Sequence, residues 1–244
     1  MKAAPEQQKK LLEVQDFDTA LARLTRREQQ LPQIEQLSNV QTEYASRREH
    51  VMSAQHALED AQLEMKRLED DLAVVKQRFH RDEEKLNHST SGKEAEALEH
   101  ELQTLNARSA QLEEQEFELV QAIEEKQAAL DEQLGELDAL EGRRKALTEE
   151  LDREREDIAQ SRSALERKRE RLCALLAPEL IELYEATRQR YGIGAALLRG
   201  KVSEGSNMAL TDSDLAALRE TAPDEVVFCR DSGCILVRTE ESAL

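Results

Sequence analysis

Apolar residues recur at alternating three- and four-residue spacing through most of residues 11–175, and the pattern breaks at Asn87-His88-Ser89-Thr90-Ser91-Gly92. Such spacing lays one narrow apolar seam along a helix, which is what two paired helices need. Before the break the seam reads Leu37, Val40, Tyr44, Arg47, Val51, Ala54, Leu58, Ala61, Met65, Leu68, Leu72, Val75 and Phe79, with Asp82 as a polar interruption and Leu86 as its end. After it, one register carries Leu98, Leu102, Leu105, Leu112, Leu119, Ile123, Leu130, Leu137, Leu140, Leu147, Leu151, Ile158, Leu165, Leu172 and Leu175, with Ser109, Glu116, Gln133 and Lys168 among its polar occupants.

The break reads as a hairpin tip. The alternative, one continuous helix in a parallel dimer, would place Gly92 and three consecutive Ser/Thr residues mid-helix at a cost in propensity. The two arms, residues 6–87 and 93–176, are nearly equal, so folding back pairs residue i with roughly residue 180−i, and each arm would run about 120 Å. Asn87 is expected to leave the first helix in the left-handed conformation. Ser91 and Glu94 form a capping box for the second. Pro5 suits a first helical turn, and Leu31-Pro32, where the apolar phase also shifts, predicts a kink.

Pro178 is expected to end the second arm and residues 179–191 to form a connecting helix, closing a hairpin domain of residues 1–178. Residues 192–244 then read as a small α+β head, with strands over 195–202, 225–229 and 235–238 and a short helix, capped by Thr211–Asp214, over 215–221. The fold class is mainly α: a long antiparallel coiled-coil hairpin with a small α+β head.

With 52 acids against 34 bases the net charge is −18. Residues 59–150 alone hold 26 acids and 12 bases, so the excess gathers around the tip and disfavours contact with nucleic acid or anionic membrane there. No stretch resembles a signal peptide or a membrane span. Cys173, Cys229 and Cys234 give no disulfide framework. A cytoplasmic protein without a membrane partner is the expectation.

The head, with Leu183-Tyr184-Glu185, residues 195–200, Ala222-Pro223-Asp224-Glu225-Val226-Val227 and Gly233 followed by Ile235-Leu236-Val237-Arg238, resembles the bacterial family of coiled-coil hairpins that end in a C4-type zinc ribbon. Residues 96–102, after the tip, are similar to that family's post-hairpin segment. The resemblance implies two CxxC turns supplying a tetrahedral S₄ zinc site. The matching positions here are Ser203, Ser206, Cys229 and Ser232, three of them hydroxyls, which are poor zinc ligands. The expectation is therefore a zinc-ribbon-like fold without zinc or any other cofactor. Losing structural zinc removes roughly 10 kcal/mol of folding free energy, so the head is expected to pack against the hairpin base and the 179–190 helix. Val202, Met208, Leu215, Leu218, Val226, Phe228, Ile235 and Val237 are among the residues expected to be buried there.

Other chemistry is thinner. Cys229 and Cys234 are either a redox pair or two plain reduced thiols. His80 lies opposite His100 in the hairpin register, without the spacing of a metal site. Residues 194–202 superficially resemble a phosphate loop but have one residue too many between glycines, and Val202 stands where Ser or Thr is required. No enzyme is expected. Arg167, Lys168, Arg169, Arg171, Arg188, Arg190, Arg199 and Lys201 gather toward the base and head, either as a nucleic-acid-contacting collar or as a solvated face of ion pairs. Relatives in the resembling family are described as nucleic-acid-binding or act as adaptors and chaperones. The chain is accordingly expected to be a scaffold with a protein partner first and nucleic acid second, as a monomer or a homodimer.

Overall fold

The computed structural model describes residues 1–242. Helix α1 (Pro5–Gln29) is followed by α2 (Pro32–His88), α3 (Gly92–Cys173) and α4 (Pro178–Tyr191). The head adds β1 (Ala195–Arg199), β2 (Val202–Ser203), β3 (Met208–Ala209), α5 (Asp212–Glu220), β4 (Val227–Phe228) and β5 (Ile235–Val237), then a 3-10 turn over Glu240–Ser242. Among the described residues no helix is long and apolar enough to cross a membrane.

Two compact units result, residues 35–149 and residues 1–34 with 150–244. In the first, α2 and α3 run antiparallel along the expected seam. Val51, Leu58 and Leu130 are buried together, flanked by Ala54, Ile123 and Leu137. Arg47–Glu136, Lys76–Glu113 and Arg78–Glu101 are ion pairs between the helices. Asp82 is buried in the seam, and Lys85 at 2.8 Å and Arg78 at 3.9 Å compensate its charge.

The tip is tighter than expected. Asn87 and His88 stay inside α2, and Asn207 is the non-glycine residue with positive φ among those described. Three residues turn the chain, so Ser89 swings over the start of α3. Its hydroxyl lies 3.4 Å from both the Ser91 carbonyl and the Glu94 carboxylate. At Leu31-Pro32 the chain does not kink one helix but separates two, because Pro32 opens α2 with its missing N–H at a position that needs no partner. Pro178 likewise opens α4 rather than simply closing the arm, and residues 174–177 form the turn between α3 and α4.

In the second unit the head sheet has the order β3-β2-β1-β5-β4. Its β1–β5 pair is parallel and the others antiparallel. The stretch read as one strand over 195–202 turns back at Gly200-Lys201 to form β2, and the two-residue β3 was not expected. Central strands covered on both faces are apolar throughout. On one face Ala195, Ile235 and Val237 pack with Leu11 and Val14 of α1, Leu180 and Tyr184 of α4, and Leu176. On the other, Ala196, Leu198 and Leu236 pack with Leu218 of α5, Cys229 and Cys234. Val202, Met208 and Phe228 were expected inside but are 40%, 56% and 48% exposed, because β2, β3 and β4 lie toward the sheet's edges. The chain's own start contributes instead: Lys2 bridges to Glu225, and Val226 N–H donates to the Met1 carbonyl.

Arg238 fastens α5 to the sheet. Its guanidinium donates to the carbonyls of Leu218, Thr221, Ala222 and Glu225 at 2.7–3.2 Å. Three of these follow or close the helix, where unpaired carbonyls and the helix dipole favour a cation.

Candidate functional site

The loops at residues 203–206 and 229–234 meet on the face of the sheet covered by α5. Ser203 is fully buried at the end of β2, and Cys229 and Cys234 lie in the turn from β4 to β5. The Cys229 thiol is 3.9 Å from the Ser206 hydroxyl, and Ser232 Oγ is 3.1 Å from Cys234 Sγ. Gly205 fills the space between the loops, where a β-carbon would sit 2.6 Å from Cys234 Sγ and 3.1 Å from Ser232 Oγ. Ser203, Ser206, Cys229 and Ser232 therefore converge, and Cys234 joins them.

This cluster treats its two thiols differently. Burial pushes the Cys229 thiol up, but the hydroxyls of Ser203 and Ser232 and the N–H groups of Ser232 and Asp231 hold it below the ordinary thiol range. Burial pushes Cys234 up, and the nearby Cys229 charge adds to the effect. The residues present do not fit zinc: hydroxyls outnumber thiols, and neutral hydroxyls are poor zinc ligands. Among the described residues no group of three or more His, Cys, Asp or Glu is placed to hold a metal. His80 pairs with Glu83 on its own helix.

A second cluster lies beneath the sheet. Asp18, 8% exposed, accepts from Arg169 Nε at 2.7 Å, from Arg169 Nη2 at 3.0 Å and from the Tyr184 hydroxyl at 2.7 Å. Arg169 also pairs with Glu185, which accepts from Arg188. Gln15 Oε1 receives the Tyr184 hydroxyl and the Gly194 N–H, joining α1 to the start of the sheet. Burial and the Asp18 carboxylate push the Tyr184 hydroxyl well above its usual range, so it stays a donor. The arrangement holds α1, α3, α4 and β1 in place. The signal for it was Asp18 itself, an acid three and four residues from Leu21 and Val14 on the α1 stripe.

Residues 14–192 match the CT398-like coiled coil hairpin domain. The chain belongs to that family. An uncharacterized protein of Mycobacterium tuberculosis, MT2288, is 34% identical over 98% of both chains. A Mycobacterium leprae protein, ML1638, is 27% identical over 90% of this chain and 95% of its own length. A solved Mycobacterium smegmatis structure superposes with a TM-score of 0.86 at 29% identity, covering 98% of this chain and all of the other. CT398 from Chlamydia trachomatis shares the fold with a TM-score of 0.65 at 22% identity, over 95% and 97% of the two chains. The family match ends at Gly192, and the mycobacterial similarities continue through the head.

Against this family background the basic residues separate into groups. Arg169 and Arg188 are turned into the Asp18 cluster. Arg199 pairs with Glu204 and Glu241, and Lys201 with Asp212. Arg190 lies 5.2 Å from the Tyr191 ring centre, and Arg167 donates to Ser163. Lys168 and Arg171 are exposed without an ion pair among the described residues.

Between α5 and β4 lies a cavity of about 230 Å³ lined by Leu210, Leu218, Val227 and Phe228 on its apolar side and by Asp214 and Arg230, an ion pair at 2.9 Å, on its polar side. Sequence reasoning had not singled it out: its walls all fall within residues 210–231, and it is the fold of that stretch, α5 turning back along β4, that makes them face each other.

Proposed function

We propose that this protein is a non-enzymatic scaffold that engages a protein partner through its head. The observation that carries the reading is the cavity beside β4. An apolar recess with a half-exposed aromatic at its lip and one ion pair at its rim is the usual form of an anchor pocket. β4 is also an edge strand. Supporting it, the polar groups of both clusters are bonded to one another rather than aimed at a shared open point, as a reacting centre would need. We further read the head as zinc-ribbon-like: two tight loops face each other as metal-holding turns do, with N–H groups of 231 and 232 on the Cys229 sulfur, and hydroxyls have replaced the missing thiolates.

The test is capture from an extract of the native cells with nuclease added, using the wild-type chain and Phe228→Asp. A stoichiometric protein retained by the wild type and lost from the variant supports the reading, provided the variant's unfolding midpoint is unchanged. Equal retention by both overturns the assignment to this pocket. Nucleic acid is the second reading, favoured by Lys168 and Arg171, which are exposed and carry no ion pair among the described residues. It requires retention on RNA or DNA that weakens with salt and with Lys168→Ala/Arg171→Ala.

A further inference from the structure

Cys229 and Cys234 face each other across the turn that closes β4 onto β5. The pairs Val227–Leu236 and Phe228–Ile235 lead into them, and Cys229 N–H donates to the Cys234 carbonyl at 2.9 Å. The ladder's register, carried one pair further, sets Cys229 opposite Cys234, and facing residues of an antiparallel ladder have Cα atoms about 4.5–5.5 Å apart, inside the window of about 4.4–6.8 Å that a disulfide requires. Ser232 Oγ lies 3.1 Å from the Cys234 sulfur, and the Ser206 hydroxyl 3.9 Å from the Cys229 sulfur. Cys229 is also one of the residues lining the 230 Å³ cavity, with 2% of its surface exposed.

We propose that Cys229 and Cys234 form a reversible disulfide, Cys229 reacting first with a peroxide and Cys234 closing the bond. The Cys229 thiolate attacks one oxygen of hydrogen peroxide. The S–O bond forms, the O–O bond breaks, and hydroxide takes a proton to leave as water. The Cys234 sulfur then attacks the sulfenic acid, the S–S bond forms, and the S–O bond breaks. The Cys234 proton leaves with the departing hydroxide as a second water. Both sulfurs are oxidised by one electron each and the two peroxide oxygens are reduced. The donors around Cys229 favour the thiolate that the first step needs, and the buried Cys234 is held as the neutral thiol that waits for it. Turning Cys229 toward Cys234 takes its sulfur away from Ser203 and Ser206, so oxidation would loosen the 203–206 loop. This does not depend on the identity of any partner.

The experiment uses the full reduced chain, one equivalent of hydrogen peroxide, alkylation of remaining thiols and tryptic mapping. Cleavage after Arg230 puts the two thiols on separate peptides, residues 220–230 and 231–238. The expected result is a linked pair of these peptides lighter by two hydrogens, separated again by dithiothreitol, with Cys173 alkylated. In Cys234→Ser a sulfenic-acid probe should label Cys229, and in Cys229→Ser Cys234 should remain alkylatable. Free alkylated thiols at both positions in the wild type would overturn the proposal. So would conversion of Cys229 to sulfinic acid without the link, or a bond involving Cys173. The wild-type mapping needs no substitution, so a variant that fails to fold cannot obscure it.

Discussion

Asp18 is held by two guanidinium bonds and a phenol, with a second guanidinium, that of Arg188, at 3.5 Å. Removing one side of a buried pair leaves the other charge uncompensated. Asp18→Ala should lower the unfolding free energy of this unit by about 2–4 kcal/mol, the upper values moderated by the partial exposure of Arg169. Urea unfolding followed through the burial of Tyr184 measures it. Burial works against the Glu185 carboxylate, but Arg169 and Arg188 more than offset it and hold Glu185 below its ordinary value of 4.5. The folded state therefore binds fewer protons there than the unfolded chain. Its stabilising contribution is complete above about pH 4.5 and is lost as pH falls through the lower folded value. Glu185→Gln should flatten the fall in unfolding free energy over that acid range, and an unchanged slope would remove Glu185 from the account. Gly194 is a tighter constraint, because a β-carbon there would run into the Tyr184 ring. Gly194→Ala should cost about 1–3 kcal/mol.

At the scale of elements, the α3 seam follows the regular register through Ile158; beyond it Leu165 and Leu172 stay half-buried, but at two places, one in α3 and one in the turn after it, the residue one later than expected faces inward. Arg169 and Leu176 turn inward, where Lys168 and Leu175 had been expected, and Leu175 is 65% exposed against 6% for Leu176. From Ile158 to Arg169 is eleven residues, close to three turns of a straight helix at 3.6 residues per turn. A strict heptad seam needs a supercoil to stay in phase. Leu176→Ala should therefore cost about 2–5 kcal/mol in thermal or chemical unfolding, while Leu175→Ala should stay within about 0.5 kcal/mol. Gly135 and Gly142, mid-helix with open space where a β-carbon would stand, predict a gain of roughly 1 kcal/mol each on substitution by Ala. The hairpin, its tip and the seam of α2 were legible because their signal is a local period repeated many times. The phase shift was not, since both registers place leucines acceptably and only the Asp18 partner chooses between them. In the head, the meeting of residues 203–206 with 229–234 was readable only through family resemblance. The Asp18 cluster depends on contacts between distant segments that no spacing records, and the α5–β4 cavity on how the single stretch 210–231 folds back on itself.

Across the molecule, charge is divided unequally. Residues 35–149 hold 28 acids and 14 bases, and the rest of the chain 24 and 20. Self-repulsion of like charge destabilises a compact state and is screened by salt. Raising ionic strength from near zero to about 0.15 M should slow amide exchange through residues 35–149 more than in the head, as hydrogen-exchange mass spectrometry would show. The same division bears on the order in which the chain acquires structure during synthesis. Residues 35–149 are continuous and can close on themselves as soon as they emerge. Leu11 and Val14 are made before residues 35–149 yet their core is incomplete until Tyr184, Ile235 and Val237 arrive. At about 5–20 residues per second helix α1 waits ten seconds or more with its apolar stripe uncovered. That makes the nascent chain, rather than the finished one, the form of this protein most exposed to chaperones.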